Sequence, residues 1–276
     1  MRRLLAMPVL LVAAVLAQQT QHKVSAVPAD WCRKPIVPEE KLTYAVRWKG
    51  IRAGTSTLEV APKVRKYRGK ECFLLMARTR SSDAISAVYE VNDIVKSLVE
   101  RGSLQPLKAS KRLKEGPHRA RQLLFFYPDK RRIRYYRYKR NRYVLTRDHK
   151  NALFPTYDVL SVVFALRLKK LSVGKKYTIK VCTGKRICDA EFVVMERKRI
   201  RVEAGEFEAF RLGPRFKVGK GKLGAKEGLF VSEKIAEVWV DALTKRPILM
   251  RAKVPIGTAE VELVKYEFPK GDKNGR

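Results

Sequence analysis

The chain has 276 residues, 45% of them hydrophobic, with 61 Lys plus Arg against 27 Asp plus Glu and a formal charge of +34. That apolar content, with 11 Phe, 11 Tyr and 3 Trp, excludes a largely disordered chain and suffices for one large domain. A field of this sign excludes a preference for cationic partners and attracts polyanions.

Arg2 and Arg3 precede an unbroken apolar run, Leu4 to Ala17, with the small side chains Val15 and Ala17 at the −3 and −1 positions of a cleavage site. This is the order of a secretory signal peptide. The run is too short for a membrane span of roughly 20 residues. Residues 1–17 are therefore expected to be removed, with cleavage after Ala26 or Ala29 as the alternative. No lipobox precedes Cys32, so no lipid anchor is expected. About 259 residues then remain, at +32 once Arg2 and Arg3 leave. Residues 18–38, with Pro28 and Pro35, read as an extended arm, 39–268 as a single domain and 269–276 as a disordered tail.

Within the domain, apolar and polar residues alternate. Leu42, Tyr44, Val46 and Trp48 alternate with Thr43, Ala45, Arg47 and Lys49, and Phe73, Leu75 and Ala77 lead toward Arg78 and Arg80. Leu107, Ala109, Lys111 and Leu113 alternate with Lys108, Ser110 and Arg112. Ile133, Tyr135 and Val144 stand among arginines, and Val238, Val240, Val261, Leu263 and Tyr266 continue the pattern. Period two with turn signals at Gly50, Gly69, Gly102, Gly116, Gly184, Gly205 and Gly257 predicts half-buried antiparallel strands. The fold expected is all-β and mainly antiparallel, a barrel-like or strongly curved sheet that closes or covers its edges. One segment differs. After Pro155-Thr156-Tyr157-Asp158, apolar residues at 159, 162, 163 and 166 predict one helix over Val159–Lys170, apolar all round and so packed into or against the sheet. It divides about seven strands from about six.

Four cysteines in an exported chain point to two disulfides. Cys182 and Cys188 flank the turn-rich segment 183–187 and are expected to bridge a hairpin, leaving Cys32 for Cys72. No C-x-x-C occurs, and His22, His118 and His149 do not pair at ligand spacing, so neither a metal site nor a cofactor is expected.

Several segments resemble a known family. They are Leu42-x-Tyr44-x-Val46-x-Trp48-x-Gly50-Ile51-x-Ala53-Gly54-Thr55, Tyr89-x-Val91-x-Asp93-Ile94, Leu107 to Gly116, and Asp158-x-Leu160-Ser161 through Arg167. Ala204 to Ala209, Val238-Trp239 with Arg246-Pro247, and Pro255-Ile256-Gly257 follow. In this order, over about residues 38–268, the set resembles the bacterial exported proteins catalogued as domain of unknown function 3108. The resemblance implies a periplasmic, predominantly β, barrel-like domain of a Gram-negative envelope and carries no catalytic residues. The chain departs from the family where paired acids precede Arg-Leu-Pro; here only Asp241 stands before Ala-Leu-Thr-Lys.

The residues offer three kinds of function. The first is a non-enzymatic envelope protein that binds an anionic lipid or glycan, with an apolar concavity rimmed by cations. The rim expected is Arg112, Lys114, Arg134, Arg137, Lys220 and Lys222. Lys220 and Lys222 belong to the basic loop Gly219–Lys226, which fails the P-loop pattern. Arg134 and Arg137 belong to Lys130–Arg147, where Tyr135, Tyr136, Tyr138 and Tyr143 are interleaved with arginines, a composition that also suits nucleic acid. Export argues against a specific nucleic-acid partner and is compatible with peripheral contact at a membrane. The second is a structural or assembly factor that holds another envelope protein. The third is an enzyme acting on polysaccharide, for which Asp93, Asp158 and Asp241 are the candidate acids; no catalytic motif supports it. Asp158 has the alternative role of capping the helix, and Asp93 and Asp241 of holding turns.

Overall fold

The computed structural model describes residues 35–217, 235–253 and 257–269. The expected signal peptide, most of the arm, Cys32, the loop 219–226 with Lys220 and Lys222, and the tail from 270 lie outside the described residues.

Sixteen strands form one sheet among the described residues. The front half contains β1 (Lys41–Trp48), β2 (Ile51–Val60), β3 (Arg65–Tyr67), β4 (Lys70–Ser81), β5 (Asn92–Glu100), β6 (Pro106–Glu115), β7 (His118–Tyr127), β8 (Arg132–Lys139) and β9 (Arg142–His149). The back half contains β10 (Thr156–Asp158), β11 (Lys176–Cys182), β12 (Ile187–Val202), β13 (Gly205–Lys217), β14 (Ile235–Asp241), β15 (Pro247–Lys253) and β16 (Thr258–Glu267). The two halves join at the middle of the sheet, where β1 pairs antiparallel with both β2 and β16. From there the sheet runs out to β9 on one side and β10 on the other. All ladders are antiparallel except β10–β11. The strands number nine and seven, against the about seven and about six expected.

The sheet curls without closing edge to edge. Side chains of the front half reach the β11–β12 turn: Lys111 of β6 donates to the Thr183 carbonyl at 3.2 Å, and His149 Nε2 of the terminal strand β9 donates to the Gly184 carbonyl at 2.8 Å. His149 thus helps grip the β11–β12 turn. Gly184 has φ +112°, and a β carbon there would stand 2.7 Å from the Tyr135 ring. Only glycine admits this close approach without strain.

The helix is shorter than its pattern predicts. Helix α1 is a single turn, Asp83–Ser86, and α2 spans Ser161–Ala165, followed by a 3-10 turn at Leu166–Leu168. Residues 156–158 join the sheet as β10, which moves the start, and extended backbone at Lys169 ends the segment. The apolar surround of α2 is real: Leu160 and Phe164 enter the main core with Leu42, Leu75 and Ile248, while Ala165 enters a second cluster with Phe192 and Leu212. Burial of each large side chain contributes roughly 1.5–3 kcal/mol. Asp158 supplies the expected cap, accepting from the Leu160 and Ser161 N–H groups at 2.8 and 3.2 Å.

The bridge expected between Cys182 and Cys188 is not formed. The register sets Cys182 opposite Ile187 and Cys188 opposite Val181, so the two side chains project to opposite faces of the hairpin. Cys182 joins a cluster with Leu124 and Tyr135, and Cys188 joins one with Val159 and Val181. Burial pushes the Cys182 thiol up to about 12. Cys72 is buried and has no disulfide partner among the described residues, Cys32 lying outside them.

Candidate anion-binding groove

The hairpin β6–β7 turns at Glu115–His118, where Gly116 has φ +54° and a β carbon would strike the Tyr89 ring. Its register faces Arg112 with Arg121 and Lys114 with Arg119. Like charges directly opposite on neighbouring strands repel and destabilise the pair. Two such pairs stand in succession, and Arg80 of β4 joins them. The five cations, with Asn92 and Ile94 of β5, line a groove of about 470 Å³. Lys114 pairs with Glu90, and Arg119 donates to the carbonyls of Gly116 and His118. Arg121 lies over the Tyr138 ring at 5.1 Å. Among the described residues no carboxylate pairs with Arg80, Arg112 or Arg121.

The same face continues toward an aromatic region. Lys108 of β6 opposes Phe125 of β7, which opposes Arg134 of β8. Lys108 Nζ lies 5.5 Å from the Phe125 ring centre, and Arg68 covers Tyr127 at 4.1 Å. Phe125 and Tyr136 meet edge to face at 5.7 Å. Arg134 is 3.8 Å from Asp148, which also pairs with Arg132. The result is a strip with cations at one end and mixed rings and cations at the other.

The expected rim is only partly assembled. Arg112 and Lys114 line the groove, and Arg134 lies on the same face beyond it. Arg137 opposes Gln122 and Val144, which puts it on the other face, because side chains alternate along β8. The apolar concavity exists on the buried side of the sheet, with Glu191 the one charged residue in its wall. The cations and the concavity are thus separate features.

Each candidate acid holds local structure. Asp158 accepts from Ser97 Oγ at 2.5 Å as well as from its two backbone N–H groups. Asp241 accepts from the Thr244 N–H at 2.6 Å and hydroxyl at 2.5 Å, fixing the β14–β15 turn. Asp93 accepts from the Lys114 N–H at 2.9 Å. Burial pushes its carboxyl up to about 7, the Lys114 N–H opposes the rise and Glu115 adds to it.

A buried charge centre escaped the sequence. Glu40 accepts from Arg167 Nη1 at 2.7 Å through one oxygen and from Arg246 Nη2 at 2.8 Å through the other, with all three side chains nearly inaccessible. The guanidiniums lie against the rings of Phe164, at 4.2 Å, and Phe268, at 4.8 Å. Nε and Nη2 of Arg167 and Nε and Nη1 of Arg246 have no hydrogen-bond partner among the described residues. Burial lowers the Arg167 pKa and raises that of Tyr44 beside it. The centre ties the start of β1 to the end of the helical segment and to the β14–β15 turn.

Comparison with known proteins agrees with this architecture. Residues 43–264 match the family model described as "Protein of unknown function (DUF3108)". A crystal structure described as a beta-barrel-like protein of domain of unknown function DUF1849 from Brucella abortus superposes with a TM-score of 0.55. The likeness covers 85% of this chain and 99% of that one at 9% identity, and is one of fold. A search of curated proteins returned no match.

Proposed function

The chain belongs to the DUF3108 family, and from that premise we propose that it is an exported, non-enzymatic binding protein of the cell envelope whose basic groove holds the phosphate or carboxylate groups of an anionic lipid or glycan. The observation that carries this reading is the pair of opposed cations, Arg112–Arg121 and Lys114–Arg119. A fold gains nothing from facing like charges across a hairpin. Glu90 offsets Lys114 in the second pair, whereas Arg112–Arg121 has no carboxylate partner among the described residues, and a broken local rule of that kind marks a functional site. An anion between the strands turns that repulsion into two-sided attraction, with guanidiniums that pair bidentately with phosphate or carboxylate. The neighbouring rings of Phe125 and Tyr136 extend the contact to the ligand's flat or apolar parts.

The test uses two probes: vesicles containing phosphatidylglycerol for the lipid and soluble polygalacturonate for the glycan. R112E/K114E is expected to weaken binding to one probe at least tenfold, and the probe affected identifies the source. R197E/R199E on the exposed part of β12 changes net charge equally and is expected to leave binding within about twofold. Equal losses in both variants would show that the overall field binds, with no role for the groove.

A second reading, an assembly factor for another envelope protein, draws on the terminal strand β9, where Tyr143, Val144 and Leu145 are all exposed. Capture of a partner lost on substitution of those three, with the groove intact, would favour it.

A further inference from the structure

On the buried side of the sheet, away from the groove, the helical segment, the back-half strands and Tyr44 and Leu58 of β1 and β2 leave a cavity of about 120 Å³. Val162 and Leu166 close it from the helical segment, and Phe192, Leu212 and Val240 from the sheet. It lies on the seam between the two largest core clusters: Leu58, Ile235 and Val261 belong to one, Ile179, Phe192 and Leu212 to the other. Its polar wall groups are already engaged. The Tyr44 hydroxyl donates to the Pro247 carbonyl at 3.1 Å, and the Glu191 carboxylate pairs with Lys176 at 3.0 Å.

A water in such a space lacks the two to four partners that would hold it, so water competes weakly for it. A ligand's hydroxyl or carboxylate placed there would lose its hydration without a replacement bond. Hydrocarbon loses nothing of that kind and gains contacts on every side. The volume is close to that of engineered apolar cavities that take one benzene or xenon. We infer that this cavity is a binding site for the end of a single aliphatic chain, distinct from the anion groove and independent of it. The wall selects for a methyl-terminated segment of about benzene's bulk, and whatever polar group the chain carries stays outside. The occupied site joins the two clusters across their seam.

The test is a methyl NMR titration of the folded protein with 1-hexanol and with 1,6-hexanediol, which cannot enter without burying a hydroxyl. Hexanol is expected to give saturable shifts at the methyls of Val162, Leu166 and Leu212, and hexanediol none. Ala190, also in the wall, is replaced in A190L to fill the space, and the saturable shifts should vanish while the fold is kept. V240I adds one methylene and, should A190L fail to fold, is expected to weaken the shifts at least threefold. Absence of saturable shifts with hexanol, equal response to the diol, or undiminished shifts in the filled variant would overturn the site. Saturation by benzene alone would overturn the chain as occupant. None of these results depends on the groove, whose variants are read with different probes.

Discussion

Two regions of this molecule gather arginines, and they do so in opposite ways. Around Glu40 two guanidiniums share one carboxylate in a nearly water-free place, and aromatic rings cover their faces. In the β6–β7 groove, cations face cations, and four of the five (Arg80, Arg112, Arg119 and Arg121) have no carboxylate partner among the described residues. Removing a buried charge from water demands a partner, so the first group is structural. Water screens the second group, so the fold tolerates its repulsion and an incoming anion relieves it. Position decides what an arginine does here, and a count of 61 basic residues does not.

The contrast can be tested by substitution, beginning with the buried centre. E40Q leaves two buried guanidiniums around a neutral amide and is expected to destabilise the fold by roughly 3–5 kcal/mol, read from urea unfolding. A loss below about 1 kcal/mol would mean that the centre is far more solvated than its geometry indicates.

Asp93, beneath the groove, gives an intermediate effect that depends on pH. Its folded pKa, near 7, lies above the ordinary carboxylate value, so between about pH 4 and 7 the folded state holds a proton that the unfolded chain has lost. Stability from this group is therefore complete at low pH and declines as pH rises through that window. D93N retains an acceptor for the Lys114 N–H and is expected to flatten the decline in thermal unfolding measured across the range. An unchanged slope would assign the titration elsewhere.

In the groove the sign reverses. R112E creates an opposite-charge pair with Arg121 and is expected to raise stability by about 0.2–1 kcal/mol while lowering affinity for anions. A variant that loses stability would remove the argument that the opposed cations are held against a cost. The smallest expected effect is chemical: the Cys182 thiol, protonated and buried, should not react with thiol reagents until the protein unfolds.

Much of the sheet is legible in the sequence because half-buried strands write period two directly. Leu42–Tyr44, Phe73–Ala77, Leu107–Leu113 and Val261–Leu263 all place their apolar members inward, as the alternation requires. The short strands β3 and β10 carry too few residues to show a period. The helix prediction failed in length for a different reason. The pattern Val159, Val162, Val163, Leu166 reflects burial against several clusters at once, and burial alone does not measure how far a helix runs.

The groove was half legible. Arg112 and Lys114 stood out, but their opposition to Arg121 and Arg119 depends on hairpin register. Register also undid the cysteine pairing: with Cys182 opposite Ile187, Cys188 falls one residue past the facing position. Glu40 had no local signal, since its partners lie 127 and 206 residues away along the chain.

The pairing of β1 with β16 has a consequence for how the chain folds. Among the described residues the first strand's outer neighbour is the last strand, so a chain emerging from its N-terminus holds β1 with one bare edge until residues 258–267 have been made. Closing a loop of that length is slow, and exposed strand edges are where unfinished chains aggregate. The protein is expected to fold late and to benefit from a holding chaperone, and a truncation that removes residues 258–267 should leave a sheet split at its centre.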